Sequence, residues 1–330
     1  MVENSGRIED ARAEGTSCVD DASGNPSAIL LYGHPSYKPI CDALRDEGFR
    51  DCDTMEARYL LTRVSIEHLA PYLRFVKRCG ISPMPGVKAA NEVLTLDRRF
   101  QSSLFKYIGI FESQVKAQYS HWMLCEHGAF AHEDPELFRN RGKYNEAMNS
   151  YEREARIRKK LGKNAVVHLP IGEACECMTL GTVTKLLSNT ADPVVTGRVS
   201  RSFGVSKNDL DSWSRTIANV RNICAHYDNY IVRKQIPTQP LAIRGLETGD
   251  CGTGNPFYVA LLVIRLLSER GCGAKDSNLM YAERMVSEVG DVLGSFLSKF
   301  PELQDALGIP DGYGQMMEHA AECENMRWVP

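Results

Sequence analysis

The string RNICAHY at positions 221–227 holds three residues whose side chains suit RNA cleavage: Arg221, Asn222 and His226. Cutting RNA without an outside nucleophile requires a 2′-hydroxyl to lose its proton as it attacks the adjacent phosphorus. The departing 5′-oxygen must gain one. A histidine that titrates near neutrality can serve at either step. An arginine adds a permanent charge and a planar fork that matches the oxygens of a pentacovalent phosphorus. Neither role calls for a metal, and no cofactor is expected.

Spacing constrains how these groups meet. On a helix of about 100° per residue, Asn222 and His226 are four apart and share a face. Arg221 and His226 are five apart and diverge by about 140°. The helix bends there, the long arginine reaches round, or a second copy completes the site. We favour the last, a homodimer that pairs two motifs.

The elements that must position this motif read as helical throughout, so the expected class is all-α. PICDALRDEGF predicts a short amphipathic helix closed by Gly48, and 54–77 predicts one or two more, interrupted at Pro71. Gly80 to Gly86 reads as a turn, and a long helix is expected over about 89–125, with Leu94, Leu104, Ile108, Phe111 and Val115 near the helical period. A polar helix follows at about 141–161, then an apolar one to about Leu187, a connection from Thr190 to Gly197, and the motif segment from about Lys207, with Asn208 as N-cap. Two further helices are expected at about 256–270 and 278–299. The chain thus divides into a mobile leader (1–35), an N-terminal helical segment (36–86), a helical domain (87–305) and a C-terminal tail (306–330).

RNICAHYDNYIVR resembles the signature of the HEPN superfamily, whose ribonucleases carry an Arg, four to six residues and a His. More narrowly, the chain resembles the Abi (abortive infection, AbiD/AbiF-like) proteins of bacterial phage defence. YKPICDALRDEGF, HLAPYLRF, LDRRFQSSLFKYIGIFES, LPIGEACECMTLGTVTKL and LGIPDGY are each similar to elements of that family. The match aligns Asp97, Arg98, Glu112, Glu176 and Gly181, and retains Arg233 after the motif. His68, Gly172, Lys116, Asn229 and Val232 depart from the pattern. The resemblance implies a HEPN-type helical bundle with an additional N-terminal helical segment, and an endoribonuclease that acts as a conditional toxin in antiviral defence. It also implies an RNA target, and association of some members with a small structured non-coding RNA. A non-catalytic RNA-binding or scaffold protein is the competing reading of the same residues.

Glu112 and Glu176 lie inside apolar patterns, where an unpartnered carboxylate is costly, so each is expected to meet a cation or hydrogen-bond donors. An ion pair with Arg98 or Arg221 is the structural reading. In the functional one, Glu176 orients Arg221 or tunes His226, and Arg233 supports the site. For RNA contact, Arg153, Arg156 and Lys160 are spaced three and four apart and form one basic stripe. Glu152 and Glu154, each four before an arginine, equally fit a solvated helix. Tyr227 and Tyr230 are the candidate base-stacking rings. His121, Cys125, His127 and His132 fit no standard zinc spacing, and no metal is expected.

Bulk properties restrict the rest. Apolar residues make up 43% and charged residues 25%, a globular profile, and the net charge is only −3, so any RNA-binding surface must be local. The polar start and eleven scattered cysteines suggest a reducing, cytoplasmic setting. The most apolar run, FYVALLVIRLL, holds Arg265 and is too short to span a bilayer, so no membrane association is expected.

Overall fold

Apolar residues in 87–127 cover roughly half the helix circumference rather than a narrow stripe, so several neighbours must surround that segment. In the computed structural model, which describes residues 37–80, 86–249, 251–268 and 277–322, it forms one 41-residue helix, α4 (Val87–His127), about 60 Å long. Its N-terminus is capped from outside: Asp51 Oδ1 accepts the Val87 N–H at 2.8 Å and Oδ2 the Lys88 N–H at 2.9 Å. Gly86 permits that approach, because a Cβ there would lie 2.7 Å from Asp51 Oδ2.

Three helices precede it: α1 (Tyr37–Asp46), α2 (Met55–Leu61) and α3 (Ile66–Cys79). The expected break at Pro71 falls instead between α2 and α3, where Ser65 caps the new helix by accepting the His68 N–H. Pro71 sits inside α3. Gly80 closes α3 in the left-handed region at φ 61°. The expected turn at 81–85 and the leader at 1–35 lie outside the described residues.

After α4 come α5 (Arg141–Arg158), α6 (Ile171–Cys177), α7 (Leu180–Asn189), α8 (Pro193–Ser202) and α9 (Lys207–Ala225). Two expectations change here. The apolar helix before Leu187 is two helices, split where Thr179 caps α7. The stretch expected as a connection up to Gly197 begins α8, because Asp192 accepts the Val194 N–H and Pro193 pre-sets the first helical φ. The α9 cap is Ser206 rather than Asn208: Ser206 Oγ accepts the Asp209 N–H at 3.1 Å.

α10 (Pro256–Leu267) is buried on every side, as its all-round apolar sequence requires. Within it, Arg265 is 6% exposed and donates to the Gly204 carbonyl at 3.0 Å. α11 (Ser277–Leu297) follows. The segment read as a tail carries α12 (Tyr313–Glu322), which packs on α10 and α11. α4 is the axis of the fold, touching α2, α3 and each helix from α6 to α11. Twelve α-helices and no strand occur among the described residues, which is the expected all-α class. None of these helices is long and apolar enough to cross a membrane.

Candidate functional site

α9 buries Leu210, Trp213, Ile217, Val220 and Ile223 and turns the polar members of the motif outward. Asn222 and His226 are both exposed, as their four-residue spacing requires, and Arg221 is half-buried at the seam with α4. The helix ends within the motif. Ala225 is its last residue and His226 is the cap, at φ −96° and ψ 0°. The Asp228 N–H then returns to the Ile223 carbonyl, and the Tyr227 N–H to that of Cys224, both at 3.2 Å. This is a Schellman closure, which places its next residue in the left-handed region. That residue is Tyr227, at φ 53°, where glycine is the usual occupant and a bulky ring is strained.

A second set of contacts holds the chain after the turn. Asp97 on α4 is completely buried and accepts the Tyr72 hydroxyl at 2.6 Å, the Tyr230 N–H at 2.8 Å and the Ile231 N–H at 3.0 Å. Burial pushes its carboxyl up, and these donors, with Gln101, oppose that shift. Gln101 Nε2 also donates to the Asp228 carbonyl at 2.9 Å. Residues 228–231 are therefore tied to α4 at 97–101, beginning two residues after His226.

The third set holds the arginine. Arg221 Nε lies 3.4 Å from Glu112 Oε2, and its guanidinium carbon stands 5.5 Å above the Phe105 ring. Glu112 also takes Lys116 Nζ at 2.9 Å, so one carboxylate serves two cations. Arg221 meets 105–112, Asp228 meets 101 and Ile231 meets 97, so from Arg221 onward the chain runs back along α4. Phe105, Gln101 and Lys116 are the participants that sequence reasoning missed. For Phe105 and Lys116 the available signal was the 4-3-4-3-4 run Arg98, Ser102, Phe105, Gly109, Glu112, Lys116, which keeps one helix face through an otherwise apolar segment.

Other expected site residues fall elsewhere. Tyr230 is fully buried, stacks on Phe100 at 6.2 Å and donates its hydroxyl to the Pro256 carbonyl at 2.9 Å. It cannot stack on a base. Tyr227 remains exposed at 51%. Glu176 is exposed rather than buried, because the seven-residue α6 turns Ile171, Ala174 and Cys175 inward and leaves Glu173 and Glu176 outside. The acid that meets Arg221 is Glu112. Arg233 is half-buried and donates from Nε to the Asn229 carbonyl, bracing the same loop.

The basic stripe does not form as drawn. α5 ends at Arg158, and Lys160 lies beyond it in the left-handed region at φ 53°. Arg156 turns to Glu152 at 2.8 Å and to the Ala165 carbonyl at 3.3 Å, while Arg153 is exposed beside Glu154. α5 packs on α6 and α7, away from the Arg221 contacts on α4.

The thiol inside the motif is chemically quiet: burial pushes Cys224 up to about 12. Of the four residues near 121–132, Cys125 and His121 meet at 3.8 Å, while His127 pairs with Asp192 at 2.8 Å and His132 is buried, so the four do not converge on one point. Among the described residues, the one trio with ligand atoms near each other is Cys41, Cys52 and Asp53, beside α1 and far along the chain from the motif.

Residues 60–231 match the model of a family described as Abi-like protein, a little over half of the chain. The matched span runs from the end of α2 to Ile231, so it takes in Asp97, Glu112, Lys116, Arg221 and His226. No curated protein matches the chain, and no solved structure matches it.

Proposed function

The chain belongs to the family of Abi-like proteins, which supports a role in abortive infection, and we propose that it acts there as a metal-independent endoribonuclease. One observation carries the chemical part: Arg221 is held over Phe105 by a partly buried carboxylate while Asn222 and His226 stand exposed on the same helix end.

In this reading His226 takes the proton of a 2′-hydroxyl as that oxygen attacks phosphorus. Arg221 stabilises the charge that gathers on the phosphoryl oxygens, and Asn222 adds an amide donor. A second histidine protonates the leaving 5′-oxygen, so the products are a 2′,3′-cyclic phosphate and a 5′-hydroxyl. α9 stays helical through Ala225, which keeps Arg221 and His226 pointing apart. A second copy in a HEPN-type homodimer supplies the missing group. Tyr227 offers an exposed ring to a flanking base. A small structured RNA that restrains the activity fits the same surface.

Incubating the purified full-length chain with labelled RNA in excess chelator tests the proposal. Cleavage with cyclic phosphate ends, lost in Arg221→Ala and His226→Ala, is the expected result. Tight RNA binding by the intact protein with no cleavage in phage-infected extract would overturn the enzyme reading in favour of a non-catalytic RNA-binding protein. Mixing the two single variants tests the shared site, since complementation requires two chains.

A further inference from the structure

A groove of about 910 Å³ opens between α2 and the start of α4, lined among others by Tyr59, Arg63, Lys88, Asn91 and Arg98. Its aromatic is unusual for a surface residue. Tyr59 is 60% exposed, and the Arg63 guanidinium lies over its ring at 4.1 Å from the centroid. A ring fixed in place by a cation at one face is a stacking platform with positive charge beside it. Lys88 is engaged by Glu56 at 3.3 Å, and the lining then holds two further cations, Arg63 and Arg98, both exposed, against one further carboxylate, Glu92.

The position of this groove is the stronger point. At about 100° per residue, Asn91, Arg98, Ser102, Phe105 and Glu112 fall within an arc of about 80° on α4. The groove and the Arg221 contacts therefore lie along one face of one rigid helix. Asn91 and Phe105 are fourteen residues apart, which is about 21 Å of helix, and Arg98 stands between them. The backbone two residues beyond His226 is tied to the same stretch, because the Asp228 carbonyl accepts from Gln101.

We propose that this groove binds single-stranded RNA 5′ or 3′ of the cut, with one base on Tyr59 and backbone phosphates at Arg63 and Arg98. The proposal rests on the ribonuclease reading for its direction along α4, and it names how the substrate is held. A strand stacked at about 3.4 Å per nucleotide covers the distance with about six nucleotides. A duplex of two paired strands presents no free base to the ring.

The test uses the full-length chain and a 2′-O-methyl oligouridylate of about twelve nucleotides, which has no 2′-hydroxyl to attack and reports binding alone. Tyr59→Ala is expected to weaken binding roughly 5- to 150-fold, the loss of one stacked base. Tyr59→Phe is expected to retain it. With cleavable RNA of the same length, kcat/KM falls by the same factor in Tyr59→Ala, while a dinucleotide, too short to reach the groove, is cut as in wild type. Equal binding and cleavage of the long RNA by Tyr59→Ala, with Arg221→Ala inactive, refutes the groove and leaves the site intact. Tyr59-dependent binding by a chain that cuts nothing refutes the ribonuclease reading and leaves the groove as an RNA-binding surface.

Discussion

Replacing Glu112 by glutamine separates what its carboxylate does for folding from what it does for Arg221. The carboxylate stands 2.9 Å from Lys116 and 3.4 Å from Arg221, with side chains 7%, 14% and 33% exposed for lysine, glutamate and arginine. At an effective dielectric near 20 the two raw attractions are about 6 and about 5 kcal/mol. Solvent reaching Arg221 reduces its share to about 1 kcal/mol. Lys116 is different, because a buried cation left without its partner costs about 3 kcal/mol or more. Glu112→Gln should therefore destabilise the fold by about 3 kcal/mol, on the order of 6 °C in Tm at about 2 °C per kcal/mol. Cleavage should fall on the order of 100-fold, since a catalytic group displaced by about 1 Å loses that much. The double variant Glu112→Gln, Lys116→Met removes the stranded cation, so its stability should return to within about 1 kcal/mol of wild type. Its cleavage should not recover, because Arg221 still lacks a carboxylate. Thermal denaturation and initial rates on one RNA substrate measure both. Recovery of both properties in the double variant, or loss of neither in Glu112→Gln, would refute the assigned role.

Three further outcomes follow from the same geometry. Tyr227→Gly places the residue suited to φ 53° at the Schellman position and should raise stability by about 1 kcal/mol in denaturant titration while weakening RNA binding; a clear loss of stability would contradict the strain assigned to that tyrosine. Asp97→Asn keeps the shape but turns an amide toward donors, so the amides of Tyr230 and Ile231 should lose hydrogen-exchange protection and the fold about 2 kcal/mol, with unchanged protection as the contrary result. His132 is buried with neither ring nitrogen hydrogen-bonded, and burial holds its pKa below 6.5 despite the nearby Glu133. The unfolded chain therefore takes up a proton that the folded chain refuses as pH falls below 6.5, and stability should drop by up to about 1.4 kcal/mol per pH unit there. His132→Phe should flatten that slope, and identical pH profiles of the two proteins would count against the assignment.

The all-α class was legible in the sequence because helical periodicity and capping residues are local signals. Leu94, Leu104, Ile108, Phe111 and Val115 mark α4 without knowledge of its neighbours. The motif was legible for the same reason: Asn222 and His226 share a face by spacing alone, and both are exposed. What surrounds the motif was not local. Glu112 and Arg221 are more than a hundred positions apart, and only the packing of α9 on α4 brings them to 3.4 Å. Tyr230 reads as an available ring three residues beyond Tyr227. Two hydrogen bonds to Asp97 draw its backbone and that of Ile231 onto α4, and the ring is buried. Glu176 shows the reverse error, since a carboxylate among apolar letters lies at the surface when its helix is only seven residues long. The sequence by itself determined that the chain is helical, where its longest helices lie and which residue types the motif holds. Tertiary packing decided which of those residues meet, because contact between distant segments depends on burial and helix direction, and neither is written in local spacing.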